Sequence, residues 1–201
     1  MNWVEFEQKV PKNIPFSPGQ INIFFPEANL KSIQQNLFNW QRKQRIVKLR
    51  RNFYVIKNKN IDLGLIANKI YEPSYLSLEY GLSFYNLIPE AVFGITSVTT
   101  NKTKQFENRL GNFIYRKIKK ELYFGFYYFN NILIADREKC FLDYFYFNLS
   151  RVKFEENYLK ELRLQNMEKL KIKKLREYVK RFKVKKLEQF IDFCLKGSLN
   201  N

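Results

Sequence analysis

QRKQRIVKLRRNFYVIKNK, residues 41–59, carries eight lysines or arginines and no carboxylate. Its middle alternates apolar with basic side chains, Val47, Lys48, Leu49 and Arg50, the two-residue period of a strand with one face on a core. The run breaks at Arg51-Asn52 and resumes with Phe53, Tyr54, Val55 and Ile56. Asn tolerates the left-handed backbone a tight turn demands, so Asn52 marks the tip of a two-stranded ribbon. Phe53 and Val55 would face one side of it, Tyr54 and Ile56 the other.

Upstream, Asn29 can cap a helix in which Leu30, Ile33, Leu37 and Trp40 recur every three or four residues. Its other face shows Lys31, Gln34, Gln35, Asn39, Arg42 and Lys43. Before a turn at residues 26–29, SPGQINIFF offers Ser17 as a cap, Pro18 at the first helical position and Gln20 to close a capping box. Residues 3–9 suit a further short helix. Helix, turn, helix and basic ribbon follow one another in the order of a winged helix-turn-helix, which sets an expected first domain over residues 1–58. In such a unit Gln34, Gln35 and Asn39 carry amides suited to adenine edges, while Lys31, Arg42 and Lys43 reach phosphate. Arg50 and Arg51 at the ribbon tip complete the candidate DNA-binding set, and double-stranded DNA is the expected partner.

Downstream the texture changes. Strands are expected over residues 95–100, 112–117, 122–128 and 132–135, with turns at Asn101, Gly111 and Asn130-Asn131. Residues 77–85 read as a helix closed by Asn86 and Pro89, and Asp136 caps another in DREKCFLDYFYF. From Ser150 to Lys196 the chain is helical and Lys-rich. Leu159, Leu162, Met167, Leu170, Leu175, Val179, Phe182, Leu187, Phe190 and Ile191 supply an apolar stripe long enough for two or three helices. The expected fold is α+β: the winged helix-turn-helix, then a mixed α/β domain over residues 59–201. That domain would hold a small antiparallel sheet to about residue 150 and a helical part over residues 151–196.

Composition narrows the function. A net charge of +17 on 201 residues calls for a polyanion or an acidic protein partner. The chain has no histidine, which removes the commonest general base near neutral pH and the commonest metal ligand. Its four aspartates, Asp62, Asp136, Asp143 and Asp192, never stand two apart, and no glycine-rich phosphate loop occurs. The chain therefore reads as a binder rather than an enzyme, with no catalytic residue, cofactor or metal expected. Cys140 and Cys194 form no disulfide framework or zinc spacing. They fit a reducing cytoplasm, and neither a leader nor a membrane span is expected.

Glu138, Lys139 and Asp143 read as structural charges at a helix start, with Lys139 and Asp143 four residues apart. The aromatic run YFGFYYF suits a core or a partner-covered patch. The strand and loop TSVTTNKTK could equally be a partner-binding surface or an ordinary strand and turn. Residues 169–186 are basic, with Glu177 their one acid. A solvated helix face, an acidic protein groove and nucleic acid all remain open for them.

Three stretches carry a resemblance: YEPSYLSLEYGLSFYNLIPE at residues 71–90, TSVTTNKTKQFENRLGNFIYRKIK at 96–119 and ILIADREKCFLDYFY at 132–146. They resemble the AbiEi-type antitoxins, also described as predicted transcriptional regulators of viral defence. Pro73-Ser74-Tyr75 with Ser77, Leu78 and Glu79, the strand 96–100, Glu138-Lys139 with Leu142-Asp143, and Leu49-Arg50-Arg51 with Tyr54-Val55 occur in that family's order. Asn52 stands where the family usually has glycine and Cys140 where it has alanine. The resemblance implies a winged helix that binds inverted repeats at its own promoter. It also implies a second domain that neutralises a nucleotidyltransferase toxin of a type IV toxin–antitoxin, abortive-infection system. A standalone regulator without a toxin, and a protein-only inhibitor whose winged helix no longer reads DNA, are the alternatives.

Overall fold

The structure, a computed structural model, describes residues 1–58, 60–90 and 92–199, with side-chain surroundings to Lys196. Lys59 of the basic stretch and residues 200–201 of the expected second domain lie outside the described residues.

The first part of the chain builds three helices and a ribbon around an aromatic core. Helix α1 (Trp3–Lys9) opens on a capping box: Glu5 N donates to Asn2 Oδ1 at 3.0 Å and Asn2 N to Glu5 Oε2 at 3.1 Å. Helix α2 (Pro18–Phe24) has the expected Ser17/Gln20 box, with Ser17 N donating to Gln20 Oε1 at 2.8 Å. Helix α3 (Leu30–Arg42) starts where Ser32 N donates to Asn29 Oδ1 at 2.8 Å. Ile33, Leu37 and Trp40 are buried as expected, whereas Leu30, at the first helical position, is 53% exposed. The Trp40 ring meets Phe6 at 4.4 Å and Trp3 edge-on at 5.2 Å.

Strand β1 (Ile46–Arg50) pairs antiparallel with β2 (Phe53–Ile56). Asn52, with φ of +54°, closes the tip between them. The register shifts between Lys48 and Arg50, so the ribbon bulges next to its tip. Phe16, in the segment between α1 and α2, exchanges both backbone hydrogen bonds with Tyr54, at 2.8 and 2.9 Å. As the alternation predicted, the two ribbon faces separate. Ile46 and Ile56 enter the core under the helices, while Val47, Leu49 and Val55 enter a second core shared with the rest of the chain.

That remainder contains α4 (Leu63–Ile70), β3 (Ser74–Leu76), α5 (Leu78–Phe84), β4 (Gly94–Thr99), β5 (Lys104–Asn108), β6 (Gly111–Lys117), β7 (Phe126–Phe129) and β8 (Ile132–Ala135). Helices α6 (Arg137–Phe147), α7 (Glu156–Glu161), α8 (Ile172–Phe182) and α9 (Lys185–Leu199) follow. The expected small antiparallel sheet is corrected here. The strands form one six-stranded mixed sheet in the order β5-β6-β4-β3-β8-β7, with β4–β6 and β3–β8 parallel. Strand β3 leaves no pattern in the sequence, because its three residues are all buried and show no alternation. Strand β5 is likewise hidden, because KQFEN is polar and lies at an edge.

Two further expectations change. Residues 120–122 form a 3₁₀ turn and Gly125 takes φ of +73°, so the strand expected at 122–128 begins only at Phe126. Helix α4, unforeseen, starts where Gly64 N and Leu65 N donate to Asp62 Oδ1 at 2.8 and 3.1 Å. The C-terminal part breaks into three helices around the predicted stripe. Leu175, Val179, Phe182, Leu187, Phe190 and Ile191 are buried with α6 in a third core.

Candidate nucleic-acid interface

Helix α3 is amphipathic with a 3.6-residue period, so residues three, four, seven and eleven apart share a face. Lys31, Gln34, Gln35 and Arg42 follow this spacing and are exposed on the side opposite Ile33, Leu37 and Trp40. Asn39 is exposed at the flank of the face. Lys43, also exposed, is the C-cap residue beyond the last turn. The structure therefore gathers five of the six predicted α3 residues on one surface and sets Lys43 at its end.

Sequence reasoning missed Phe38. It sits in the middle of that face, seven residues from Lys31 and four from Arg42, and is 56% exposed. The Arg42 guanidinium lies over its ring at 5.9 Å. An exposed aromatic ring among amides can contact a thymine methyl, which an amide does not do well. The available signal was spacing: Phe38 belongs to the polar face rather than the apolar stripe.

The two tip arginines part company. Arg50 turns back on the protein, its Nε donating to Ile70 O at the end of α4 at 2.9 Å and its guanidinium stacking 4.6 Å from the Phe53 ring. Asn108 Nδ2, on β5, donates to Leu49 O at 3.2 Å beside it. Arg51 is exposed and makes no hydrogen bond or ion pair among the described residues. The ribbon tip thus offers one free arginine.

The residues quoted for the resemblance meet in the interior. Tyr75 OH and Ser77 Oγ donate to Asp143 Oδ2 at 3.0 and 2.9 Å. Lys139 Nζ bonds Asp143 Oδ1 and, at 2.9 Å, the Tyr75 oxygen. Its ammonium also lies 5.1 Å from the Phe124 and Phe182 ring centres. All four polar side chains are 0% exposed. A lysine, aspartate, tyrosine and serine in contact could suggest a catalytic group, but all four are closed off from the surface. Burial raises the Asp143 carboxyl above the ordinary range, against the pull of Lys139, Ser77 and Tyr75, and burial likewise raises the Cys140 thiol.

Glu138 points the other way. Burial alone would raise it, yet the N–H of Lys171 at 2.9 Å and the Lys174 ammonium at 3.2 Å hold its carboxyl below the usual value. Among the described residues, no group of three or more His, Cys, Asp or Glu is placed to hold a metal ion, and no helix is long and apolar enough to cross a membrane. No protein-family model matches the sequence, and no curated protein matches it.

Proposed function

We propose that this chain is a cytoplasmic, non-enzymatic antitoxin that reads double-stranded DNA at inverted repeats of its own promoter and counters a nucleotidyltransferase toxin. One observation carries the DNA half: the exposed, carboxylate-free face of α3, with Lys31, Gln34, Gln35, Phe38, Asn39 and Arg42. The pairing of Phe16 with Tyr54 supports a winged-helix arrangement, since it ties the segment between the first two helices to the ribbon. In this reading α3 enters the major groove while Lys43 and Arg51 hold flanking phosphates. The antitoxin half rests on the resemblance. The joining of its separated motifs at Tyr75, Ser77, Lys139 and Asp143 supports treating those motifs as one framework.

One observation favours the protein-only inhibitor instead. Both ribbon faces are occupied and Arg50 is held by Ile70 O, so the ribbon is less free than a DNA-reading wing requires. The deciding experiment is binding to a fluorescent duplex of the upstream region over a range of salt, beside an unrelated duplex and a Gln34→Ala/Gln35→Ala variant. Selective binding that the variant loses supports the DNA reader. Equal, weak binding to both duplexes, gone at physiological salt, removes the promoter role. The toxin half is tested separately by co-expressing the chain with the product of any adjacent nucleotidyltransferase frame. Failure to restore growth removes that half.

A further inference from the structure

The ribbon tip borders a cleft of about 630 Å³ that shares only Arg51 with the proposed DNA surface, and no residue of α3 lines it. One wall comes from the tip, with Arg50 and Arg51. The lining also includes Lys69 and Tyr71 at the end of α4 and Lys104 and Phe106 of β5. Four cations therefore face a single lining carboxylate, Glu72, which Lys69 already bridges at 2.8 Å. Arg51 and Lys104 form no ion pair among the described residues. Arg50 is anchored through Nε to Ile70 O, which leaves the two terminal nitrogens of its fork to donate. An arginine fixed in this way loses little freedom when it grips an anion.

Aromatic rings line the cleft as well. Tyr71 and Phe106, both half-buried, meet edge to face at 5.7 Å, and Lys104 Nζ sits 5.6 Å from the Phe106 ring centre. A simple carboxylate would satisfy the cations and leave the rings idle. An acyl chain would cover the rings and strand the cations. A nucleoside phosphate uses both, its phosphate on the arginine and lysine heads and its base against an aromatic face. The volume falls within the roughly 300–1,000 Å³ of small-molecule sites. We propose that this cleft binds a nucleoside phosphate, supplied either as a free nucleotide or as the phosphorylated end of a single strand.

The test titrates the full chain with fluorescent N-methylanthraniloyl-ADP, using ADP, tripolyphosphate and a 5′-phosphorylated oligothymidylate as competitors. Saturable binding is expected, with ADP displacing the probe far better than tripolyphosphate. Lys104→Glu should weaken binding by about tenfold or more, as loss of a charge-assisted contact predicts, and Lys104→Gln by less. Lys180→Glu, on α8 and outside the cleft, should leave binding unchanged. Lys104 is exposed, so thermal melts of its variants should match the parent. Displacement by the oligonucleotide at lower concentration than ADP identifies a strand end as the ligand source, and the reverse order identifies a free nucleotide. Non-saturable binding overturns the proposal. So does an equal loss from Lys180→Glu, which would mean generic charge, or tripolyphosphate competing as well as ADP, which would mean the rings contribute nothing.

Discussion

Thr96 caps the helix that Ser77 begins. Its Oγ1 accepts from Tyr80 N at 3.0 Å and donates to Ser77 O at 2.7 Å, while Ser77 Oγ is committed to Asp143 Oδ2 at 2.9 Å. A residue on β4 thus supplies the acceptor that the N-cap residue of α5 would ordinarily provide. Thr96→Val keeps the shape and leaves Tyr80 N without an acceptor, a loss of about 1–2 kcal/mol, whereas Thr96→Ser should retain most of the stability. Urea denaturation measures both. A Val variant as stable as the parent would show the cap to be idle.

The ion pair of Lys139 with Asp143 is fully buried, so its partners are worth more against loss than in net gain. Lys139→Met strands a carboxylate with two hydroxyl donors and no counter-charge, and should cost about 3–5 kcal/mol. Lys139→Met combined with Asp143→Leu should recover much of that, because no charge then needs solvation. If the double variant is no better than the single, packing of the aliphatic lysine stem, not charge, holds α6 in place.

How much of this was legible in the chain depends on the range of each interaction. The Ser17/Gln20 box, the Asn29 cap, the Asn52 tip and the two ribbon faces are local patterns, and each appears where its residues say. Helix α4 was illegible because LGLIANKI is mostly apolar and gives no clear period, its one signal being Asp62. The Lys139–Asp143 spacing was readable as a helical pair, but its burial depends on Tyr75 and Ser77, over sixty residues away. In the same way Arg50 and Arg51 look alike in sequence, and only Ile70 O separates their roles.

Gly81 and Cys140 form a tight crossing of α5 over α6. A methyl added at Gly81 would overlap Cys140 Sγ, which sits in the core at 0% exposure. Gly81→Ala should therefore destabilise by about 1–3 kcal/mol despite the better helix propensity of alanine. Cys140→Ala alone should open a small void, and the two changes together should restore part of the loss. Thermal melts of the four proteins form the cycle. Strictly additive losses would mean that the two positions do not share this space.

Glu138 sets a pH dependence whose sign follows from its lowered carboxyl. A depressed folded pKa means the ionised form is favoured in the fold. Its stabilisation is therefore present above the unfolded carboxylate value and disappears as pH falls through the folded one. Glu138→Gln should cost about 1–2 kcal/mol at pH 7, and its gap to the parent should close as pH falls from the ordinary carboxylate range through the lowered value. Comparing variant with parent at each pH removes the contribution of Asp143, whose raised carboxyl acts in the opposite direction. A gap that stays constant with pH would place the loss in packing rather than in charge.

The two tip arginines separate stability from DNA affinity. Arg50→Ala removes the bond to Ile70 O and the stack on Phe53, so it should lower stability by about 1–2 kcal/mol. Arg51→Ala touches no internal partner and should stay within about 0.5 kcal/mol of the parent. On duplex DNA the order reverses. With Lys31, Arg42, Lys43 and Arg51 on phosphate, log affinity should fall against log salt with a slope of about −3.6, and Arg51→Ala should reduce its magnitude by about 0.9. A parent slope near −4.5 that Arg50→Ala reduces would mean that Arg50 leaves Ile70 to reach the DNA, and that the ribbon moves when the duplex binds.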